Sequence, residues 1–557
     1  MIEDETMVFD APRTCIAPDG SFLAILHSPS FIARNLRKTS PIAPVGRLEE
    51  SGLEVDNSAN FPVGDVDVTE AEGVYEVPNP FPFWGATYIL KSQAEKFSES
   101  PRFQFRPKCY KEIENTFLDA LLKGACLDDT GRSYGIADLP RPLLLAIAHS
   151  SRDPELVKAI ARLSCGFEFD DAGNPTVLRY ARRASGKIAP ILKDNDLFEV
   201  VVNNPALPDR YKQAMVLIPG VQGPNPIIGE YGPTGDTHIW EYMRANSYIP
   251  WGHYASNMAN DSIRYKVGDL EYEDLAGLRA LYYQRVYVQL ASSLGVSIPA
   301  GAADQETTLF SVEQLEGLRA ELLADIRQRM DSGAAVPFTA TLWGWNYGFD
   351  FSPSGYRLHA SHQQIHQQFA LLPKQMATVD GQGFLPTYAI GDQVASFSAF
   401  YRNYYGGLFF DAYLKAIRSN ERLDKNKDLP GDLILYEDEN VIAHVPKAQR
   451  SQGEVQIMAK APAGNVIESG IEVRISIDMA IYRVMKAFDR LGAEMVTCYE
   501  VSKRFDNPDT DQRLFYCFLP RHPQSPGAFS ERQGRWVTGH FPEDFARSFR
   551  EVMLLKD

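Results

Sequence analysis

Residues 361–368 have the sequence SHQQIHQQ, and the interpretation of the chain starts from them. If this stretch is a β-strand, successive side chains project to opposite faces, which places His362, Gln364, His366 and Gln368 on one face. A neutral imidazole nitrogen can attack a phosphorus atom, and a neighbouring carboxamide can donate hydrogen bonds to phosphate oxygens. His366 is the candidate nucleophile, and an acceptor on its far nitrogen would fix the required tautomer.

The same residues allow two other interpretations. In a helix, His359, His362 and His366 would share one face, because residues three, four and seven apart are neighbours there. Three histidines on one helical face could bind a metal ion. A polar surface helix, rich in glutamine and histidine and without any chemistry, is the other interpretation. The local pattern alone leaves all three open.

The chain after this stretch predicts an α+β fold. Residues 337–348 are strand-like, and residues 357–371 alternate between apolar and polar side chains. From residue 432 onward the pattern predicts the order β-β-β-α-β-β-α, which is an antiparallel sheet with helices packed on it. The predicted strands of this last part are 432–436, 441–445, 454–460, 494–501 and 513–519, and the predicted helices are 476–491 and 542–553.

The chain before this stretch predicts three kinds of segment. Residues 1–74 are irregular and predict an extended arm, and residues 75–92 predict a strand, a turn and a second strand. Helices are predicted within 140–163 and at about 271–295 and 312–332, and a strand pair at 197–202 and 214–218. We therefore expect three parts: the arm at 1–74, a first unit at 75–378 with a large, mostly helical insertion at about 93–330, and a connector with a second unit at 379–557.

Composition and charge exclude several classes of function. The chain has 56 Lys and Arg against 72 Asp and Glu, a net charge of −16, which repels phosphate backbones and predicts no bulk binding of nucleic acid. A small nucleotide in a locally basic pocket stays compatible with this charge. No apolar run approaches the roughly 18–20 residues that span a bilayer, and the acidic first ten residues do not resemble a secretory signal. The six cysteines lack Cys-x-x-Cys spacing, which favours reduced thiols in a cytoplasmic protein.

One part of the chain resembles the active-site stretch of a known family. It comprises Asn-Tyr-Gly at 346–348, the pattern S-x-x-Q-x-H-x-Q-F at 361–369, and Leu-Pro at 372–373. This is similar to the galactose-1-phosphate uridylyltransferase and diadenosine tetraphosphate phosphorylase branch of the histidine-triad superfamily. The resemblance implies that His366 is the nucleophile, that Gln368 and Ser361 bind phosphate, and that Asn346 contacts the nucleotide. Gln364 departs from the family, which has the first histidine of a pair there.

A second resemblance concerns the C-terminal part. Residues 439–448, ENVIAHVPKA, and 453–457, GEVQI, look like the hairpin that opens a half-barrel in the same branch. The later strand at 513–520 carries no histidine pair, as expected for a non-catalytic unit. Together the two matches cover about 337–373 and 432–557. They imply two antiparallel half-barrel units with packed helices, and the absence of the family's cysteine-containing structural metal site implies no metal carried over from it.

A further candidate region lies before the first long helix. Residues 249–265 are dense in polar and aromatic types, and they include His253 and Arg264. Arg264 could bind a phosphate or a carboxylate, and His253 is a candidate for substrate recognition. A buried and fully hydrogen-bonded polar network is the alternative interpretation of the same residues.

The resemblance implies a nucleotidyltransferase or phosphorylase that acts on a nucleoside diphosphate compound by a ping-pong route. The expected partner is a small nucleotide or nucleotide sugar, with neither nucleic acid nor a membrane. No cofactor is required for this chemistry, and a divalent metal is left open. The large insertion would supply substrate specificity or the surface of a homodimer.

Two other functions stay open at this point. One is a metal-dependent enzyme that uses His359, His362 and His366. The other is a catalytically silent binding protein that kept the fold, and Gln364 is the residue that favours it.

Overall fold

The computed structural model describes residues 13–105, 135–215, 248–249, 258–263, 271–299, 310–348 and 365–554. Within these ranges, the residues outside the description are 35–37, 39–40, 48–50, 62, 70, 183–187, 203, 205, 379, 494 and 522–526.

The N-terminal part contains short strands and one hairpin. The strand–turn–strand that the sequence predicts at 75–92 is confirmed, because two antiparallel strands pair from Val74 to Leu90. The turn ends at Gly85 with a φ of 84°, and a Cβ there would lie 2.0 Å from the Gly534 carbonyl oxygen, so only glycine fits. The elements are β1 (Ile25–His27), β2 (Phe31–Ala33), β3 (Pro44–Arg47), β4 (Glu54–Asp56), β5 (Val66–Val68), β6 (Val74–Pro78), β7 (Ala86–Leu90) and α1 (Lys91–Ser98).

The next part has its own small hydrophobic core. The two short helices predicted within 140–163 are confirmed, whereas the strand predicted at 197–202 is wrong and is a helix. Asp194 explains this helix, because its carboxylate accepts a hydrogen bond from the backbone N–H of Leu197 at 3.0 Å. The elements are α2 (Arg141–Ser150), α3 (Pro154–Ser164), β8 (Phe167–Phe169), β9 (Pro175–Leu178), β10 (Tyr180–Arg182), β11 (Ile188–Pro190), α4 (Asn195–Val202) and α5 (Asp209–Met215).

Two long helices follow, as the sequence predicts. The second begins with a capping box, in which the Ser311 hydroxyl accepts from the backbone N–H of Gln314 at 3.2 Å. It ends at Gly333, whose φ of 70° is the left-handed conformation of a helix C-terminus. The elements of this part are β12 (Tyr248–Ile249), β13 (Met258–Ile263), α6 (Tyr272–Leu294) and α7 (Val312–Ser332).

The middle of the chain contains the strand predicted from the 361–368 stretch, although the structure describes it only from residue 365. The predicted connector contains an aromatic-rich segment at 397–410, which belongs to two helices, and the first of them ends at Gly406 with a φ of 75°. The elements are β14 (Ala340–Gly348), β15 (Ile365–Leu372), β16 (Gln375–Ala377), β17 (Phe384–Pro386), α8 (Ile390–Tyr405) and α9 (Phe409–Arg418).

The C-terminal part follows the predicted order, with one added helix and strand before the last helix. That last helix starts with a proline in its first turn. It carries Glu543 and Asp544 in its first turn and Arg550 in its last turn, and these charges interact favourably with the helix dipole. The elements are β18 (Ile434–Glu437), β19 (Val441–His444), β20 (Val455–Ala459), α10 (Ile471–Arg490), β21 (Met495–Val501), β22 (Phe515–Pro520), α11 (Gly527–Gln533), β23 (Arg535–Thr538) and α12 (Pro542–Met553).

Nine of the described strands form one antiparallel sheet in the order β12-β13-β15-β14-β21-β22-β20-β19-β18. Strands from both predicted units therefore share this sheet, and they meet where β14 pairs with β21. Strands β12 and β13 belong to the predicted insertion, and β13 pairs with β15 along five residues. The α+β class is confirmed by this sheet and its helices.

Each face of the sheet carries a different core. Helices α6, α7, α10 and α12 pack on one face, which we call the helical face, and their side chains form the largest hydrophobic cluster. The other face is covered over β18–β20 and β22 by the β6–β7 hairpin and by α8 and α9. Beyond the edge of these covering elements, part of the second face is exposed to solvent.

Candidate active site

The candidate nucleophile lies on β15, the third of the nine strands, between β13 and β14. In the pairing of β14 with β15, Asn346 is opposite His366 and Gly344 is opposite Gln368. On the other side of β15, Ser262 of β13 is opposite His366. The strand from Ile365 to Leu372 confirms the alternating interpretation over this range and excludes a helix through His366.

The alternation of β15 is fixed by a buried glutamine. Gln367 is 1% exposed on the helical face. Its side-chain oxygen accepts a hydrogen bond from the Trp343 indole N–H at 2.9 Å, and its side-chain nitrogen donates to the Leu278 carbonyl oxygen at 3.1 Å. Because position 367 is directed toward α6, positions 366 and 368 fall on the opposite face.

That opposite face is partly open around Gln368. Leu342 and Gly344 of β14 and Met495, Thr497 and Tyr499 of β21 are partly exposed on this face, and the residues between them in the sequence are buried. We call this region the open face, defined by Leu342, Gly344, Gln368, Thr497 and Tyr499.

Gly344 is at the centre of the open face. A Cβ built there meets no heavy atom closer than the Cys498 carbonyl oxygen at 3.8 Å. A glycine inside a strand often marks a close approach by a ligand or another backbone, and here it leaves space between Gln368 and Tyr499. The arrangement can therefore accept a group that lies flat against the sheet beside Gln368.

The same face of the sheet is buried along the strands of the second unit. The register row through Gln368 and Gly344 continues through Tyr499, Cys517, Gln456 and His444. The last three of these are buried under the β6–β7 hairpin and α9. Along this row, the open face therefore ends at β21.

The histidine in the closed part is unsuited to catalysis. His444 is fully buried, and burial lowers its pKa to about 3. Its Nε2 lies 3.1 Å from the Tyr413 hydroxyl, which also donates to the Gln456 side-chain oxygen at 3.3 Å. This neutral imidazole belongs to the core.

An arginine seals the boundary between the open and closed parts. Arg450 packs its guanidinium over the Trp84 ring at 3.7 Å and pairs with Glu454 at 2.5 Å. It also donates to the Tyr499 hydroxyl. Since the Arg450 side chain is 6% exposed and its charge is already paired, it holds the β6–β7 hairpin in place and is not available to a ligand.

A charged network supports the strands from the helical face. Arg279 of α6 donates to Asp478 of α10 at 2.8 Å and to the Tyr516 hydroxyl at 2.9 Å, and Tyr516 donates to Glu500 at 2.6 Å. Burial raises the pKa of both carboxyl groups, and Arg279 opposes that effect. The network ties β21 and β22 to both helices beneath the open face.

The structure brings some of the predicted residues together and leaves others undescribed. Gln368 is described with its side chain, and Asn346 and His366 are placed by strand register alone. The predicted residues that lie outside the described ranges are His253, Arg264, Ser361, His362 and Gln364.

The metal alternative loses the single helical face on which it was based, because His366 lies on a strand. Among the described residues, no group of three or more histidine, cysteine, aspartate or glutamate side chains could hold a metal ion. His359 and His362 lie outside the described ranges, so this finding does not cover the cluster predicted from the sequence. No helix in the described part of the chain is long and apolar enough to cross a membrane.

Several residues of the site carried no signal in the sequence. Thr497 and Tyr499 belong to the second unit, and only the pairing of β14 with β21 brings them opposite Asn346 and Gly344. The alternation of a strand places Gln367 on the face opposite His366, but the local sequence does not identify Trp343 and Leu278 as its hydrogen-bond partners. Gly344 was part of a strand-like segment without a role.

Solved structures similar to the chain include a uridylyltransferase and an ADP-glucose phosphorylase. A uridylyltransferase structure is 14% identical, with 44% of this chain and 70% of that chain covered and a TM-score of 0.31. A GalT-like protein from Arabidopsis thaliana is 13% identical, with coverage of 54% and 77% and a TM-score of 0.33. An ADP-glucose phosphorylase from Arabidopsis thaliana with bound ADP-glucose is 11% identical, with coverage of 53% and 74% and a TM-score of 0.33.

No family model matches the chain, and no curated protein matches its sequence. At these identities and TM-scores, the roles of individual residues rest on the chain's own motif and strand register.

Proposed function

We propose that the chain is an enzyme that transfers a nucleotidyl group from a nucleoside diphosphate compound, such as a nucleotide sugar, through a covalent intermediate on His366. The observation that carries this proposal is the register of β14 and β15. Asn346 is opposite His366, and Gln368 is partly exposed beside Gly344 on the open face. The nucleophile thus has a carboxamide residue opposite it on β14 and another two residues further along its own strand, as the motif at 346–369 implies.

The first step forms a bond between nitrogen and phosphorus. An unprotonated ring nitrogen of His366 attacks the α-phosphorus, and the bond from that phosphorus to the bridging oxygen breaks. The leaving group departs as a sugar phosphate or phosphate. In the second step an oxygen of an acceptor phosphate or sugar phosphate attacks the same phosphorus, and the bond to His366 breaks.

The remaining groups of the motif would hold the phosphate and the nucleotide. Gln368 and Ser361 would donate hydrogen bonds to the non-bridging oxygens, whose charge redistributes during the transfer. Asn346 would position the nucleotide. His362 and Gln364 lie four and two residues before His366, and an even spacing corresponds to one face of a strand. We therefore assign both to the substrate-binding part of the site.

The strand beside the nucleophile leads to a further candidate cation. β13 ends at Ile263, which is opposite Ile365, so Arg264 follows directly after the strand that borders His366. We include Arg264 and His253, which precedes the same strand, among the substrate-binding residues. Arg264 would supply the positive charge that a diphosphate requires.

The covalent intermediate provides the test. The protein is incubated with ADP-glucose and with UDP-glucose, each radiolabelled at the α-phosphorus. Wild-type protein is expected to keep a label that is lost in acid and stable in base, as for a phosphorus–nitrogen bond to histidine. His366→Ala should keep none. His149→Ala is the matched control, because His149 is an exposed histidine of α2, and this variant should label like the wild type.

Other results would favour the other functions. The proposal would be contradicted if neither nucleotide sugar labels the protein and His366→Ala keeps a measured activity of the wild type. Nucleotide binding without label would favour a silent binding protein. A stoichiometric transition metal that is lost in both His359→Ala and His366→Ala would favour the metal-dependent enzyme.

A further inference from the structure

Arg521 extends the open face from the second unit. The ladder between β21 and β22 continues past Pro520, because the Arg521 backbone N–H donates to the Met495 carbonyl oxygen at 2.7 Å. Arg521 Nε then donates to the Thr497 hydroxyl at 3.2 Å. This contact holds the guanidinium on the face to which Thr497 belongs.

Thr497 lies in the same register row as the candidate nucleophile. It is opposite Asn346, and Asn346 is opposite His366. Neighbouring strands are about 4.8 Å apart, so β21 lies two spacings, about 10 Å, from β15. The Arg521 guanidinium therefore approaches the row of His366 from the side that faces away from β13.

Arg521 also has the exposure that a ligand-binding cation needs. Its side chain is 43% exposed, and its partner Glu531 is 3.5 Å away, a long and exposed ion pair that a phosphate can replace at little cost. Two other cations near the sheet differ from it. Arg450 is buried and paired with Glu454, and Lys374 lies eight residues along the chain from His366, about 26 Å at the rise of a strand.

We infer that Arg521, held by Thr497, binds the phosphate next to the one attacked by His366, so that the second unit completes the site of the first. This inference rests on the proposed function. A diphosphate brings negative charge to a chain of net charge −16, and a local cation must compensate it. A guanidinium is suited to this because it offers several donors in one plane.

Binding measurements with nucleotides of different phosphate number test the assignment. Calorimetric titrations compare AMP with ADP and UMP with UDP on wild type, Arg521→Ala and Arg521→Lys. Arg521→Ala is expected to lower the affinity for the diphosphates roughly fivefold to twentyfold and the affinity for the monophosphates less than about twofold. These values correspond to the loss of one charge-assisted hydrogen bond at an exposed site. Arg521→Lys should recover part of the loss, because it keeps the charge.

Two further variants separate binding from folding. Arg547→Ala is the matched control, since Arg547 is 40% exposed and pairs with Glu551 at 3.3 Å, yet it lies on α12 away from the open face. It should leave all four affinities unchanged. Thr497→Val keeps the shape of the threonine and removes the acceptor for Arg521. Thr497→Val should lower only the affinity for the diphosphates, roughly twofold to fivefold. In a protein that already carries Arg521→Ala, it should cause no further loss of affinity.

The outcomes distinguish this inference from the proposed function. Equal losses for monophosphates and diphosphates in Arg521→Ala, or no loss at all, would overturn the role of Arg521. If His366 is labelled by a nucleotide sugar in that case, the proposed function survives and only the role of Arg521 fails. If the wild type binds none of the four nucleotides and carries no label, both fail together.

Discussion

Gln367 Nε2 donates a hydrogen bond to the Leu278 carbonyl oxygen at 3.1 Å, which ties the strand of the candidate nucleophile to helix α6. The Gln367 side-chain oxygen accepts from the Trp343 indole at the same time. One buried side chain thus joins β15, β14 and α6. Its neighbour Gln368 lies on the other face and is partly exposed, so adjacent glutamines have separable roles.

Replacement of Gln367 by leucine should lower stability. Gln367→Leu keeps a similar volume but leaves the buried Trp343 N–H without its acceptor, which costs about 1–3 kcal/mol. Chemical denaturation followed by circular dichroism measures the loss in the free energy of unfolding. An unchanged denaturation midpoint would show that the two hydrogen bonds do not stabilise the strand.

Replacement of Gln368 by leucine should produce the opposite pattern. Because Gln368 is partly exposed, stability should change by less than about 0.5 kcal/mol. The rate of nucleotidyl transfer should fall about a hundredfold or more, as for the loss of a donor to charge in a transition state. The two variants are matched controls for each other, and a large stability loss in Gln368→Leu would remove the case for its separate role.

The site strand shows what the sequence could predict. The alternation around His366 requires only a period of two, and β15 has that period. The partners of Gln367 come from positions 24 and 89 residues away along the chain, and local periodicity holds no information about them. Arg521 was missed for the same reason, since its closeness to the site depends on the pairing of β14 with β21.

The fold shows the same division between local and distant effects. The helices at 271–295, 312–332 and 542–553 were predicted from apolar spacing, and the structure has them within one residue of those bounds. The segment at 197–202 contains three consecutive valines, which favour a strand in isolation. Its burial in a small helical core and the cap at Asp194 outweigh that propensity. The single sheet shared by both units is a long-range pairing that no local pattern indicates.

His444 should make the protein sensitive to acid. The folded chain keeps this imidazole neutral with a pKa of about 3, whereas the unfolded chain takes up a proton below its usual pKa of 6.5. Protons therefore favour unfolding, and the contribution of His444 to stability falls as the pH drops from 6.5 toward 3, by up to about 1.4 kcal/mol per pH unit.

Comparison with His444→Gln isolates this effect. The variant should show a shallower loss of unfolding free energy between pH 6.5 and pH 4, because the carboxyl groups that titrate there are common to both proteins and cancel in the difference. His149→Gln removes an exposed histidine and should keep the wild-type slope. Parallel curves for the wild type and His444→Gln would show that His444 does not remain neutral in the folded state.

Gly344 offers a test of the open face by steric means. Its φ is not positive, and a Cβ there meets nothing closer than 3.8 Å, so Gly344→Ala should fold and gain about 0.4–1 kcal/mol from the lower entropy of the unfolded chain. Gly344→Leu should fill the space between Gln368 and Tyr499 and raise KM for the nucleotide sugar about tenfold or more, with the folded state retained. The control is Gly317→Ala in α7, where a Cβ meets nothing within 4 Å. It should gain stability without any change in KM, since α7 packs on the helical face. An unchanged KM in Gly344→Leu would place the substrate elsewhere, because a leucine side chain and a nucleotide cannot both occupy that space.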